Sequence, residues 1–356
     1  MTKVNGRGAT RNAVSARFGL VDRCDDGDWL DAREDIDGPV ARLRTTVTVE
    51  HPKTILARNS SPDIVFDRSI NAYRGCEHGC IYCFARPTHA YHDLSPGLDF
   101  ESKLFAKPEA PKLLIAELSK RGYRPAPIAM GTNTDPYQPI EQDWRITRDC
   151  IEILRDCRHP LIITTKSDRV LRDLDLLSDM ARDGLVAVGI SVTSLDPQIA
   201  RALEPRAPRP DKRLEAIRRL AEAGIPAHVN VAPVIPAITD HEMEAILKAA
   251  AEAGARSASF IPVRLPHEVA PLFRAWLDAH FPDRASKVMS IINELRGGRD
   301  NDPEFGSRMR GQGVWAELLR TRFRKGCARH GLNMGERIAL RTDLFRPPAG
   351  EQMELF

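Results

Sequence analysis

Between residue 65 and about residue 265 the chain alternates short β-branched runs with longer helical stretches, and this alternation leaves few folds open. Strands are predicted at 66–72, 128–131, 161–165, 186–192, 227–231 and 257–263, with helices at 111–121, 145–157, 169–182, 211–223 and 241–253 between them. The punctuation agrees: Gly184, Gly224 and Gly254 stand at helix ends, and Asp240 stands where an N-cap belongs. β/α units in series need right-handed crossovers, which build a parallel sheet as either a partial barrel or an open doubly wound sheet. The barrel is favoured because polar groups recur at the C-terminal ends of successive strands, where barrel sites form. Residues 131–139 follow the second strand, Lys166 and Ser167 the third, 191–194 the fourth and 230–236 the fifth. The expected fold is α/β, a partial (β/α)6 barrel over 61–265 with a helical extension at 266–346.

The flanks read differently. Residues 1–60 are polar and rich in Arg, Asp and Gly, with one alternating piece at 43–49 that predicts a strand. The opening, 5–12, has the composition of a disordered basic tail that either touches nucleic acid or, as the safer reading, stays solvated. Beyond 265, helices are predicted at 272–279, 286–295 and 314–324, and 347–356 reads as a flexible tail. The net charge of +3 does not announce a nucleic-acid partner, but Lys and Arg outnumber Asp and Glu ten to five from Arg299 to Arg341. The densest stretch, 320–325, suits a phosphate backbone with Phe323 as a stacking group, or else a solvated helix face with Phe323 in the core. No apolar run has membrane-spanning length and no signal core opens the chain, so no membrane partner and a cytoplasmic location are expected.

The loop after the first strand carries the chemistry. Cys76, Cys80 and Cys83 are spaced C-x3-C-x2-C on a glycine-bearing loop and can hold three irons of a four-iron cluster, leaving the fourth iron open to a ligand. A zinc site is the alternative, with His78, His89 or His92 as fourth ligand, although zinc frameworks usually come as two separated ligand pairs. Seven cysteines, an odd number, and the clustered triplet argue against disulfides.

The cysteine spacing and the aromatic Tyr82 before the last thiol resemble the cluster loop of the radical S-adenosylmethionine (SAM) superfamily. The segments 74–86, 131–141, 203–226 and 232–236 resemble its branch related to spore photoproduct lyase, over about residues 60–265. The resemblance implies a [4Fe-4S] cluster on Cys76, Cys80 and Cys83, SAM chelated to the open iron, and reductive cleavage of SAM to a 5′-deoxyadenosyl radical that abstracts hydrogen from substrate. It places the SAM amino group near Thr132, Asn133 and Asp135, the adenine near Tyr82, the ribose near Ser191 and Thr193, and the carboxylate near Lys166. It further implies a reductant such as flavodoxin or ferredoxin, and a nucleic-acid substrate in a lyase-like DNA-repair reaction. RNA or a small metabolite as substrate, and a non-catalytic iron-sulfur or zinc protein that binds nucleic acid, are the alternatives. Cys150 and Cys157 fall on one helix face, which for that branch suggests a radical relay; the plainer reading is small core residues.

The last five residues, 352–356, resemble the peptide by which bacterial repair proteins dock on the DNA sliding clamp. Gln352, Leu355 and Phe356 stand in the expected places, and Met353 stands where leucine is more usual.

Overall fold

The computed structural model describes residues 6–18, 43–335 and 339–348. The described strands are β1 (Thr46–Val49), β2 (Leu56–Arg58), β3 (Arg68–Ile70), β4 (Tyr73–Arg74), β5 (Lys103–Ala106), β6 (Ile128–Met130), β7 (Leu161–Thr165), β8 (Val186–Ser191), β9 (Ala227–Val234) and β10 (Ser257–Pro262). Seven of them form one sheet in the order β10-β9-β8-β7-β6-β3-β2. From β3 to β10 every neighbouring pair is parallel, and only β2 runs antiparallel, at the edge. This is the expected partial (β/α)6 barrel.

Side-chain alternation explains why the sheet sits as it does. Leu161, Ile163, Val186, Val188, Val229 and Val231 join one buried cluster with Leu176, Leu220, Ile246 and Leu247 from the helices. The intervening positions, Thr164, Gly189, Ser191, His228 and Asn230, are small or polar and face the barrel interior. Each large aliphatic side chain moved from water to the helix-facing layer contributes roughly 1.5–3 kcal/mol, so the register is strongly fixed.

A second sheet, β1-β5-β4, was only partly legible. The run at 43–49 supplies β1, but β4 is two residues long and β5 carries no clear alternation. Strand β4 leads directly into Gly75 and Cys76, and the Cys76 amide donates to Phe100 O just before β5 at 3.0 Å. The small sheet thus seats the cysteine loop.

The structure decides between readings of the flanks. Residues 6–18 are not a solvated tail: Gly8 and Ala9 are buried, and their amides donate to the Glu101 carboxylate at 2.9 and 2.8 Å. Of the two readings of Phe323, the core one holds: its ring packs 4.7 Å from that of Phe260 against the main core. Before the tail, Phe345 packs on Tyr123 and His159, and the Arg346 amide donates to Cys157 O at 2.8 Å. Gln352, Leu355 and Phe356 lie outside the described residues. The C-terminal helices Val269–His280, Pro282–Leu295 and Gly313–His330 pack beside the barrel, with Trp276 and Phe273 in a core shared with Ile81 and Tyr82. Cys150 and Cys157 are buried in the main core. Among the described residues no helix is long and apolar enough to cross a membrane.

Candidate active site

The cysteine loop, 75–86, is held from four directions by segments distant in sequence. Gly75 and Gly79 adopt φ of +73° and +68°, a left-handed backbone that favours glycine. A Cβ on Gly75 would stand 2.8 Å from Phe100 O, and one on Gly79 would stand 2.8 Å from Glu101 Oε2. From inside the loop, the fully buried Arg86 donates to the carbonyls of Cys80 (2.9 Å), Gly79 (3.1 Å), Pro96 (3.0 Å) and Gly97 (2.9 Å), and to Glu101 Oε1 (2.5 Å). Glu101 in turn accepts the Gly8 and Ala9 amides, so the N-terminal segment closes one side.

The second side is the loop after β6. Thr134 Oγ1 and Gln138 Nε2 donate to Gly75 O at 2.7 and 3.2 Å, and Gln138 Oε1 accepts the Glu77 amide at 3.0 Å. The buried His78 ring lies 3.3 Å from Asp135 Oδ2. The loop after β8 closes a further side: Arg206 pairs with Glu77 at 2.7 Å, and the Ile81 amide donates to Leu203 O at 3.1 Å. Among sequence-flagged residues, Thr132 and Asn133 sit at the β6 end on Asn71, through contacts of 3.2 and 3.0 Å. Asp135 is fully engaged within the protein, accepting from Thr165 Oγ1 (2.6 Å), the Lys166 amide (2.8 Å) and the Tyr137 amide (2.9 Å). Burial works against its charge, but His78 and these donors hold its pKa at about 2. A carboxylate so occupied shapes the turn rather than standing open to a ligand's ammonium.

Tyr82, Thr193 and Lys166 do come together. The Tyr82 hydroxyl donates to Glu204 and lies 3.3 Å from Thr193 Oγ1, which itself donates to Glu204 Oε1 at 2.7 Å. Arg213, fully buried, faces the other Glu204 oxygen and donates to Ser191 O at 3.2 Å. Sequence reasoning treated 203–208 only as a marker of resemblance; Glu204 and Arg213 turn out to be the buried acceptor and cation that fix Tyr82 and Thr193. A signal existed, an acid and an arginine nine residues apart at the junction of two helices, but nothing local tied them to Tyr82. Thr193 is thus occupied by protein partners, while Ser191 Oγ forms no hydrogen bond with a described residue.

Lys166 has its ammonium 5.8 Å from the Tyr82 ring centroid and no carboxylate or carbonyl partner among the described residues. Burial works against its charge, yet Cys80 and Glu204 hold its pKa above the usual lysine range. On the interior face, Ser259 Oγ donates to Asn230 Oδ1 at 2.9 Å, and His228 Nε2 lies 2.9 Å from the same hydroxyl. That chain orients the Asn230 amide and leaves its buried Nδ2 without a partner. Gly189 makes room for it, since a Cβ there would stand 2.8 Å from Nδ2.

Three observations bear on what the site holds. Cys76 and Cys80 are buried, and burial pushes the Cys76 thiol well above its ordinary range and Cys80 to about 12, with Cys83 adding to both. Such thiols become thiolates when metal replaces the proton. His78 Nδ1 lies 3.3 Å from Asp135 Oδ2, and the His89 ring contacts Lys103 O through Nε2 at 2.8 Å while its buried Nδ1 has no hydrogen-bond partner among the described residues. Among the described residues no three His, Cys, Asp or Glu side chains converge on a single-ion centre. A four-iron cluster takes one thiolate per iron, so its cysteines stand around it rather than on one point. The donors at the barrel mouth, Lys166 Nζ and Asn230 Nδ2, match the acceptor oxygens that SAM presents in its carboxylate and ribose. The residues present fit both groups.

Comparison with known proteins agrees with this geometry. A family model described as the radical SAM superfamily matches residues 70–250. The chain is 37% identical over 228 residues to an uncharacterized protein of Mycobacterium tuberculosis, covering 64% of this chain and 67% of the relative. It is 32% identical over 173 residues to one of Methanocaldococcus jannaschii, covering 49% and 62%. Among solved structures, it is similar to spore photoproduct lyase complexed with dinucleoside spore photoproduct, with a TM-score of 0.55, 17% identity and 80% of both chains covered. A variant of that lyase with bound AdoMet and dinucleoside spore photoproduct gives 0.54 and 16%, over 86% of this chain and 93% of the other. At such identity the likeness is one of fold.

Proposed function

Since the chain belongs to the radical SAM superfamily, whose cofactors are a [4Fe-4S] cluster and SAM, we propose that it is a SAM-cleaving enzyme that abstracts hydrogen from a nucleic-acid substrate. Cys76, Cys80 and Cys83 would hold the cluster, each supplying one thiolate. The bound groups supply one-electron reductive cleavage of SAM, yielding a hydrogen-abstracting 5′-deoxyadenosyl radical, with the electron coming from a flavodoxin- or ferredoxin-type donor.

The chain's own residues do the positioning. Arg86 and Glu101 hold the cysteine loop in one conformation, which keeps cluster and cofactor at fixed separation. Lys166 takes the SAM carboxylate, and Asn230 Nδ2 with Ser191 Oγ takes ribose oxygens. The Glu204–Arg213 pair locks the Tyr82 ring beside the adenine. Thr132 and Asn133 line the β6 end of the same mouth. Asp135 acts one step back, fixing the Lys166 backbone and His78. The aromatic and apolar wall of Ile81, Tyr82, Ile235 and Val263 excludes water from a reactive carbon centre.

The substrate class is supported by the fold shared with a lyase that binds a dinucleoside lesion, and a repair-like reaction on DNA is the form of the activity we favour. The terminal peptide with Gln352, Leu355 and Phe356 is consistent with recruitment by a sliding clamp. The observation that carries the reading is the meeting, at one end of the sheet, of a buried thiol loop with Lys166 and Asn230 donors that have no hydrogen-bond acceptor among the described residues. The test is anaerobic reconstitution with iron and sulfide, then dithionite and SAM. The expected product is 5′-deoxyadenosine from the wild-type chain, with about a tenfold or greater loss of SAM affinity in Lys166→Ala. Cluster-loaded protein that binds no SAM and releases no 5′-deoxyadenosine overturns the proposal.

A further inference from the structure

Two residues past the C-terminal end of β10, at the end of the sheet where the cysteine loop lies, is an arginine with no proper acceptor. The only hydrogen-bond acceptor of Arg264 among the described residues is the Met309 thioether, 3.3 Å from Nη1, and its buried Nε has none. A thioether is a weak acceptor, and a guanidinium carries five donors. Two further arginines crowd it. The buried Arg296 is held by the carbonyls of Pro262 (2.9 Å), Val263 (2.7 Å) and Arg308 (2.7 Å), without a carboxylate. Arg308 pairs with Asp63 at 2.5 Å and donates to Ser61 at 2.6 Å, closing the gap between the loop after β2 and the segment beyond β10.

The two acids near this trio are already occupied. Asp63 takes Arg308 and the Gly306 amide (2.6 Å), and Asp302 takes the Glu304 amide (3.0 Å) and Gln312 (3.3 Å). Burial, with Arg308 adding to it, lowers the Arg264 pKa, and burial with Arg264 brings Arg296 to about 10. Cations drawn this close, with donors desolvated and unpaired, disfavour the folded chain unless an anion completes the set. Beside them stands Phe305, 60% exposed, with the Arg308 guanidinium 4.4 Å from its ring centroid. Anion-seeking donors and an open aromatic face are thus placed side by side.

We propose that Arg264, flanked by Arg308 and Phe305, forms a nucleotide subsite in which the guanidinium takes phosphodiester oxygens and the Phe305 ring stacks a base. Planar, bidentate phosphate recognition is what arginine does better than lysine, and stacking tolerates any base. The subsite sits beside the barrel mouth, where a strand anchored by its backbone can present one nucleotide to the reacting centre. The inference rests on the nucleic-acid reading above and names the residues that would carry it. It also moves the basic contact away from 320–325, where Phe323 is in the core and Arg322 is paired with Glu244 at 2.6 Å.

The test is fluorescence anisotropy of a short fluorescein-labelled single-stranded DNA with reconstituted holoenzyme over a salt series. Arg264→Gln is expected to weaken binding about tenfold and to flatten the plot of log affinity against log salt by about 0.7, with Arg264→Lys recovering the slope but not the full affinity. Phe305→Ala, at an exposed position that leaves folding alone, is expected to weaken binding at least about fivefold. Arg121→Ala, exposed and preceding the N-terminal end of β6, serves as the charge control and keeps wild-type affinity. Wild-type binding with unchanged affinity and slope in both the Arg264 and the Phe305 variants overturns the subsite while leaving the nucleic-acid reading standing. No binding by the wild-type holoenzyme overturns that reading and the subsite with it.

Discussion

Removing the guanidinium of Arg86 should undo the cysteine loop, and the size of the effect can be worked from its contacts. Arg86 is fully buried and serves four carbonyls and the buried Glu101. In Arg86→Met the apolar stem is retained, so the loss is electrostatic. Glu101 keeps only the Gly8 and Ala9 amides, and stripping one member from a buried pair costs about 3–5 kcal/mol. The Cys80 and Gly79 carbonyls lose their side-chain donor as well, at about 1 kcal/mol each where water cannot replace it. Taking the pair alone, at about 2 °C per kcal/mol for a chain of this size, the melting midpoint should fall by roughly 6–10 °C. Iron bound after reconstitution should fall with it, because the loop that carries Cys76, Cys80 and Cys83 is the part released. Glu101→Gln in the same chain removes the stranded charge and should recover part of the loss, so the double-mutant cycle should show coupling of about 2 kcal/mol. Calorimetry and iron-to-protein ratios measured anaerobically decide it. A wild-type midpoint and full iron content in Arg86→Met, or strict additivity with Glu101→Gln, would refute the reasoning.

Two further expectations follow from single positions. Gly75→Ala places a Cβ 2.6 Å from Leu104 Cδ2 and 2.8 Å from Phe100 O at a φ of +73°, so the bond from the Cys76 amide to that carbonyl must give way and reconstituted iron content should drop while the barrel's circular dichroism stays. His159 is buried with Nε2 2.8 Å from the Tyr123 hydroxyl and Nδ1 3.0 Å from Pro160 O, and burial lowers its pKa from 6.5 to about 4. Between those values the unfolded chain binds the extra proton, so stability rises with pH across that window and is lost as pH falls through it. His159→Gln should flatten this slope in urea midpoints measured from pH 7 to about 4, and an unchanged slope would sink the assignment.

The fold was largely legible because its signal is repetitive. Buried β-branched runs at β7, β8 and β9 and apolar helix faces repeat the same solution, so each unit supports the next. The limits of β7 coincide with the predicted run, and β9 exceeds its run by three residues, to Val234. What failed was short or non-repetitive. Strand β4 has two residues, and the N-terminal segment looks like a solvated tail because its glycines read as flexibility. In the structure Gly8 is glycine for the opposite reason: a Cβ there would stand 1.9 Å from Gly79 O, so the segment is rigidly docked.

At the site, the residues the spacing points to divide by what holds them. The thiol triplet is local, and three cysteines within eight residues announce themselves. The residues that organise it, Glu101, Gln138, Glu204 and Arg213, come from four separate segments, two of them helical, and their partners lie at separations of 93 (Gly8 to Glu101), 61 (Glu77 to Gln138), 122 (Tyr82 to Glu204) and 22 (Arg213 to Ser191) residues. No window of sequence contains both ends of such a bond. The same division explains why Asp135 and Thr193, chosen from strand-end position, prove to be bonded within the protein, while Asn230 and Lys166 at equivalent positions keep open donors. Strand topology decides which side chains reach the mouth of a barrel; only the hydrogen-bond inventory decides which of them are left to meet a ligand. On that criterion Arg264 belongs with Lys166 and Asn230 rather than with the paired arginines of the C-terminal helix, and the open donors then fall into two groups, one beside the thiols and one at the far edge of the sheet. On the function and subsite proposed above, a cofactor fills the first, and a second ligand, anionic and entering from the β10 side, is the arrangement that satisfies both.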